Sequence, residues 1–487
     1  MLENTSDPLE NSLGRFSDLL TKTETDQILE LQQQPAPIGI RINPLKAVPK
    51  LAMKALSTRY GWSVAPLSVS NNGWIIHNAI SAPGLTIEHR LGQYYLQDPA
   101  SMVPVCLFNI DTSHPIILDM AASPGGKTTH LMDRTMDQGF ILANDASMTR
   151  INALRAVLSS WGGINIAVTN FPGEVFGSWY PETFDLVLLD APCSMENLRP
   201  SPSHPMRDTS QDERLRLQAR QIQLLTSGLH ALRVGGQLVY ATCSLAPEED
   251  EAVIDALLET YPGAFFIEDV SKKFDFNAPG LIGFKKAQFS PSLAKTLRLW
   301  PHKTGMSGFF CALLIKNHPL PVKSGSPPSR DFTRTHLIVM DHKSEQKIVQ
   351  QLMQDFGFDL RSVLDAGDLS LYQRFEQFYL IPNQYLKHFI NLPYDYIGMP
   401  LGQWVNDLFK PSMAFISRFG RQFTRGKFTL QDKDVEPWIQ GRDIRQPETD
   451  LNPKGQYLMV TDGEGRNLGP GKLLQRRLRN LLPRQLF

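Results

Sequence analysis

Two thiols and an acid stand where an α/β protein places its chemistry. The stretch Asp185-Leu186-Val187-Leu188-Leu189-Asp190-Ala191-Pro192-Cys193-Ser194 carries four consecutive apolar residues, then an acid, a proline and a cysteine. Such a run reads as a strand buried on both faces, and proline stops its ladder. A second stretch, Gln237-Leu238-Val239-Tyr240-Ala241-Thr242-Cys243-Ser244, has the same form. A lone cysteine at a strand end is ordinarily a small buried hydrophobe. Two Cys-Ser pairs closing two strands of one sheet point instead to reactive groups, because ligands of open α/β sheets sit just outside the strands' carboxyl ends. Cysteine is a strong nucleophile even when only a few per cent is thiolate. The run Pro247-Glu248-Glu249-Asp250-Glu251 after Cys243 reads as a helix start, where acids suit the N-terminal dipole, with Glu249 to Glu251 on a solvated face.

The elements that must position these groups follow from Pro115 onward. Ile116 to Asp119 is a first strand, Ser123-Pro124-Gly125-Gly126-Lys127-Thr128 a Gly-rich turn, and Thr129 to Arg134 the start of a helix. Phe140 to Asn144 is a second strand closed by Asp145, Met148 to Ser160 a helix, Asn165 to Thr169 a third strand and Asp185 to Asp190 a fourth. A helix from about Asp212 to Leu232 stops at Gly235-Gly236 before a fifth strand, 237–241. Ser307 to Ile315 closes the unit. Alternating strands and helices predict a doubly wound parallel sheet. Residues 1–112 read as a small α+β N-terminal module, 113–317 as the α/β domain, 318–332 as a linker rich in Pro, Ser and Gly, and 333–487 as a separate C-terminal region.

Composition narrows the class. The chain of 487 residues has 49 Lys plus Arg against 49 Asp plus Glu, so any nucleic-acid footprint must be a local patch. Four scattered cysteines with no Cys-x-x-Cys pair argue against structural zinc and a disulfide scaffold, and fit a reducing compartment. Met1 to Glu10 lacks signal-peptide features, and no apolar run approaches membrane-spanning length. The expectation is a soluble, cytoplasmic monomer without a metal.

The Gly-rich turn resembles the end of a P-loop, but Ala121 stands where a P-loop needs glycine, and Gly-x-Gly-x-x-Gly is absent. A strand ending in Asp119, a turn that admits close backbone approach, a helix N-terminus for a carboxylate and Asp145 for a ribose diol together suit S-adenosylmethionine. The plain alternative is an ordinary strand–helix turn with Lys127 exposed. A thiol beside a methyl donor suits pyrimidine carbon 5. A thiolate adding to carbon 6 makes carbon 5 enolate-like, an acid such as Asp190 at ring nitrogen 3 stabilises the charge, and a base then removes the carbon 5 proton.

These stretches resemble the Nol/Nop/Sun family of RNA 5-methylcytosine methyltransferases: LDMAASPGGKTTHL (118–131), DLVLLDAPCS (185–194), GGQLVYATCSLAPEEDE (235–251) and SGFFCALL (307–314). Arg41-Ile42-Asn43 and Gln93 to Ser101 resemble its N-terminal module. The resemblance implies a Rossmann-like methyltransferase domain. It implies that Cys243 is the nucleophile, that Cys193 assists product release, and that Ala122, Ser123, Pro124, Gly125, Gly126, Lys127, Thr128, Asp145 and Asp190 line the S-adenosylmethionine site. Three positions depart from the pattern. Met195 replaces a glycine after Pro-Cys-Ser, Ser123 an alanine, and Pro172 an aspartate near the adenine, for which Asn170 is the substitute. Gly398 to Gly402, Asn467 to Lys472 and Arg479 to Pro483 resemble the bacterial subtype that acts on small-subunit (16S) ribosomal RNA and carries a C-terminal PUA-like RNA-binding domain.

Candidate RNA contacts lie in 409–428, where Arg418, Arg421, Arg425 and Lys427 alternate with phenylalanines and no acid. Arginines contact phosphate and aromatics stack on unpaired bases; the alternative is that the phenylalanines form the core of a small β domain. The basic tail, 472–484, reads as a helix. The leading expectation is carbon 5 methylation of a cytosine in small-subunit ribosomal RNA. A transfer RNA substrate, an inactive RNA-binding assembly factor and, more remotely, a nucleotide oxidoreductase are the rivals.

Overall fold

Apolar runs too long and continuous for one-sided burial form the centre of the molecule. In a computed structural model, residues 8–110, 114–200, 206–445 and 455–482 are described. The central strands are β1 (Ile116–Asp119), β2 (Phe140–Asn144), β3 (Ile166–Thr169), β4 (Phe184–Asp190), β5 (Leu232–Thr242), β6 (Phe265–Ile267), β7 (Leu297–Leu299), β8 (Phe309–Lys316) and β9 (Tyr396–Ile397). Their order is β6-β8-β5-β4-β1-β2-β3-β9, with β7 also paired to β8. The inner five are parallel and the flanking pairs antiparallel. Chain order reverses between β1 and β4, so the crevice at their carboxyl ends is the expected ligand site. Two apolar clusters cover the sheet's faces. One is built on Leu118, Leu142 and Val187, the other on Ile117, Ile141 and Leu188.

The long helix ends at Ala231, and β5 begins at once with Leu232. Gly235, expected to stop the helix, instead lies inside the strand with φ +76°, beside a register irregularity against β4. The glycine is a bulge residue, which the sequence pattern does not separate from a helix stop.

A four-stranded sheet that includes Ile38–Ile42 and Tyr94–Leu96 forms the N-terminal module. Its Arg41 is fully buried, forms an ion pair with Asp133, and donates to the Gly126 carbonyl at 2.9 Å and Thr129 Oγ1 at 2.7 Å. The module is thereby fixed to the helix that leaves the Gly-rich turn. The helix Lys22–Gln32 and the turn after helix Pro8–Arg15 pack Ile28 and Phe16 in one cluster with Leu198, Leu245 and Trp300.

The C-terminal region holds two further five-stranded sheets. It also supplies β9 to the central sheet, Tyr396 opposite Val168 and Ile397 opposite Ala167. The segment 318–332 is irregular and mostly exposed, but Leu320 and Phe332 are buried in the central core. The basic tail is a hairpin, not a helix: Asn467–Leu474 pairs with Arg477–Asn480. Leu473 and Leu478 point inward while Arg477 and Arg479 are exposed, a period of two that the density of arginines masked. Arg484 lies outside the described residues. No described helix is long and apolar enough to cross a membrane.

Candidate active site

The Gly-rich turn places Gly125 at φ +113°, and a Cβ there would come within 2.9 Å of Val157 Cγ1. Only glycine turns the chain this tightly from β1 into the helix Gly126–Thr135. Lys127, in the first turn of that helix, reaches across the switch point and donates to Asp190 Oδ2 at 2.6 Å. Its ammonium also lies 5.2 Å from the Phe309 ring centroid. Burial pulls the Lys127 ammonium down, but the Asp190 carboxylate outweighs it and the net shift is upward. Lys127 therefore stays charged.

Cys193 and Cys243 leave adjacent strands β4 and β5, and their sulfurs lie 2.8 Å apart as free thiols. The Cys193 thiol is pushed well above its ordinary range, first by its hydrogen bond to Cys243, then by burial and by charge on Cys243. The two sulfurs are within hydrogen-bond reach, and either can donate to the other. Both thiols, Asp190 and Lys127 face one cavity of about 670 Å³.

Ala122, Ser123, Pro124, Gly126 and Asp145 line the same cavity. Asp145 Oδ2 accepts from the Ser123 N–H at 3.1 Å, and Oδ1 accepts from the Ser147 N–H at 2.9 Å. Oδ2 also lies 3.7 Å from the Arg150 guanidinium, while Oδ1 accepts only the Ser147 N–H among the described bonds and has acceptor capacity left for a diol hydroxyl. Gly125, Thr128 and Asn170 stand behind the wall. Thr128 is fully buried and donates to Asp119 Oδ2 at 2.7 Å. Asn170 Nδ2 donates to the Asp145 carbonyl at 2.7 Å, bracing the residue that bears the carboxylate. Pro172 precedes the short turn Gly173–Val175, whose Gly173 joins the lining. Met195 adopts φ +62°, so the backbone takes the left-handed form that a glycine would favour.

Three features were not anticipated. Tyr95 to Asp98 of the N-terminal module form part of the cavity wall, as do Arg220 and Leu224 of the long helix; the first lie in the 93–101 stretch matched only as part of that module, the second in no motif. The acidic run after Cys243 is not a solvated face, since Glu249, Asp250 and Glu251 are all fully buried. Arg298, equally buried, pairs with Asp250 at 3.2 Å and with Glu251. Glu249 bonds the serines that follow both cysteines. Acids at a helix start ordinarily face water, and only the distant Arg298 could have signalled otherwise.

The proposed RNA contacts divide. Phe409, Phe415, Phe419, Phe423 and Phe428 are buried core residues, not stacking platforms. Arg418 is largely buried and lies 3.6 Å from Asp137 of the central domain, while Arg421 donates to the Lys46 carbonyl at 2.9 Å. These two join domains. Arg425 and Lys427 are exposed.

Family models match three parts of the chain, leaving 316–424 unmatched. A 16S rRNA methyltransferase RsmB/F model covers 107–315, the N-terminal domain of 16S rRNA methyltransferase RsmF covers 12–99, and the methyltransferase RsmF PUA domain covers 425–487. Ribosomal RNA small subunit methyltransferase F of Aeromonas hydrophila is 30% identical over 466 residues, spanning 95% of this chain and 93% of that protein. The chain belongs to the ribosomal RNA small subunit methyltransferase F family. Its Citrobacter koseri relative is 33% identical over 466 residues, 95% of this chain and 92% of that one. Among solved structures, a methyltransferase homologue from Pyrococcus horikoshii superposes with a TM-score of 0.54 at 28% identity, covering 64% of this chain and 99% of its own. The family F match thus includes Rossmann-like, N-terminal and PUA parts, and the PUA part contains the exposed Arg425 and Lys427.

Proposed function

We propose that the chain transfers a methyl group from S-adenosylmethionine to carbon 5 of a cytosine in small-subunit ribosomal RNA, through a covalent bond between Cys243 and carbon 6. The observation that carries this reading is the contact of Cys193 with Cys243 on one cavity wall with the Lys127–Asp190 pair. The cavity suits the cofactor in size and in polarity: about 670 Å³, with the Asp145 carboxylate beside a glycine turn and a helix N-terminus. Bound there, S-adenosylmethionine would supply an electrophilic methyl group.

The residues of the chain act in sequence. The Cys243 thiolate adds to carbon 6, and the electrons of the carbon 5–carbon 6 double bond pass into the ring. Asp190, held by the Lys127 ammonium, is assigned to hold a proton on ring nitrogen 3 during addition and to take it back on elimination, so that the proton and the ammonium offset the negative charge that develops. Carbon 5 then takes the methyl group. Loss of the carbon 5 proton to a base restores the double bond and returns the carbon–sulfur pair to Cys243 as thiolate. The Cys193 thiol, 2.8 Å from that sulfur, eases its departure. The retained thiol pair and ion pair weigh against an inactive assembly factor.

The test uses tritiated S-adenosylmethionine with small subunits, their stripped RNA and transfer RNA, followed by bisulfite sequencing. The expected result is label at a cytosine of the ribosomal RNA, abolished by Cys243→Ala. With Cys193→Ala a protein–RNA adduct should accumulate on a denaturing gel. Label in transfer RNA alone would overturn the substrate assignment, and turnover by Cys243→Ala would overturn the nucleophile.

A further inference from the structure

Cys193 and Cys243 meet although they leave different strands, so something must hold the two exits in register. Glu249 does so geometrically. It lies three residues beyond Ala246, outside the cavity lining, and is fully buried. Its Oε2 accepts the Ser194 N–H at 2.8 Å and Gln221 Nε2 at 3.1 Å. Its Oε1 accepts the Ser244 hydroxyl at 3.1 Å and also the Ser194 hydroxyl. The two serine hydroxyls lie 3.1 Å from each other. One carboxylate therefore bonds the residue that follows each cysteine. Gln221 donates at once to this carboxylate and to the Pro192 carbonyl, at 2.9 Å, which fixes the other side of Cys193.

A buried carboxylate is costly unless its lone pairs are met. Here neutral donors meet them, and among the described residues no ion pair to Glu249 is formed. The neighbouring Asp250 and Glu251 differ, since both pair with Arg298. A cation would stabilise the fold equally well. Two serines and a glutamine instead tie the charge to the two catalytic loops.

We propose that Glu249 is a positioning residue which keeps the Cys193 thiol on the Cys243 sulfur and so governs resolution of the covalent RNA adduct. This rests on the cysteine mechanism proposed above. Glu249→Gln keeps the shape but replaces one acceptor oxygen with a donor: at the Oε2 position it opposes both the Ser194 N–H and the Gln221 amide, and at the Oε1 position both serine hydroxyls must turn from donating to accepting, with the carboxylate charge lost either way. The loops should then separate while the cavity wall stays in place.

The experiment compares the full-length wild type with Glu249→Gln, Ser244→Ala, Cys193→Ala and Cys243→Ala, using small-subunit RNA. Glu249→Gln should bind S-adenosylmethionine as wild type does by isothermal titration, turn over slower by about tenfold or more, and accumulate the adduct that Cys193→Ala accumulates. The double variant Glu249→Gln/Cys193→Ala should lose little beyond Cys193→Ala alone, because both act on one step. Wild-type turnover in Glu249→Gln, or lost cofactor binding in parallel with lost turnover, would overturn the inference. Should Glu249→Gln fail to fold, Ser244→Ala decides: partial adduct accumulation supports the role and wild-type behaviour overturns it. Turnover by Cys243→Ala overturns the mechanism and this inference together, whereas an inactive Cys243→Ala with a wild-type-like Glu249→Gln overturns the inference alone.

Discussion

Met195 holds a left-handed backbone, φ +62°, two residues beyond Cys193. Its carbonyl accepts the Asn197 N–H at 2.8 Å, and the side chain touches the cavity. An L-residue with a Cβ pays about 1–2 kcal/mol for this conformation. Glycine does not, but its unfolded chain gains back about 0.4–1 kcal/mol of entropy. Met195→Gly should therefore be more stable than Met195→Ala by about 0.5–1 kcal/mol. At an ordinary position the order is reversed by roughly the same amount. For a domain of this size the difference is a melting shift of about 2 °C, within reach of differential scanning calorimetry on the full chain. Comparing glycine with alanine, and not with methionine, removes the contribution of the long side chain. An alanine variant that melts at or above the glycine variant would refute the claim that strain is held at this loop.

Further outcomes follow from other buried groups. Burial pushes the Asp119 carboxyl up to about 7, so the folded protein holds a proton that the unfolded chain releases near pH 4; its contribution to stability falls as pH rises from about 4 to 7, and Asp119→Asn should raise the melting temperature more at pH 8 than at pH 5. Arg298→Met strands the buried Asp250 and Glu251, and the expected cost is about 3–5 kcal/mol, measured by denaturant unfolding. Lys427→Glu should weaken RNA binding and lower its salt dependence while leaving cofactor affinity unchanged, as read by filter binding across a salt series. Arg418→Ala should instead lower the melting temperature, with no change in the salt slope, because Arg418 faces Asp137.

The residues at the strand ends were more legible than those that support them. Strand runs that end in Asp190, Cys193 and Cys243 fix where the reactive groups stand, since buried parallel strands leave few alternatives for their carboxyl ends. The Gly-rich turn likewise announces its cavity. The wall contributed by Tyr95 to Asp98 was hidden because it depends on how a separate module docks, through Arg41 and Asp133. Glu249 was hidden because an acid near a helix start has a local explanation that needs no partner, and its partners Ser194 and Gln221 lie far back in the chain. The phenylalanines of 409–428 were ambiguous for the opposite reason: stacking surface and core use the same side chains, and only packing distinguishes them.

β9 carries a consequence for how the protein can be divided. Its two residues arrive from beyond the Pro-rich segment to complete the edge at β3, flanked by bonds from Asp395 N–H to the Val168 carbonyl at 2.8 Å and from Gly398 N–H to the Ile166 carbonyl at 2.9 Å. Ile381, Tyr385 and Phe389 of the same region are buried in the central core. Cutting the chain at 318–332 would strip the catalytic sheet of its last strand, bare the hydrogen-bonding groups of Ile166–Thr169 and uncover Phe140 and Phe184, which stack on Phe389. Such a fragment would present a sticky border to its own copies. The seam drawn by composition at 318–332 and the mechanical seam of this protein therefore do not coincide: residues beyond the Pro-rich segment complete the central sheet and its core.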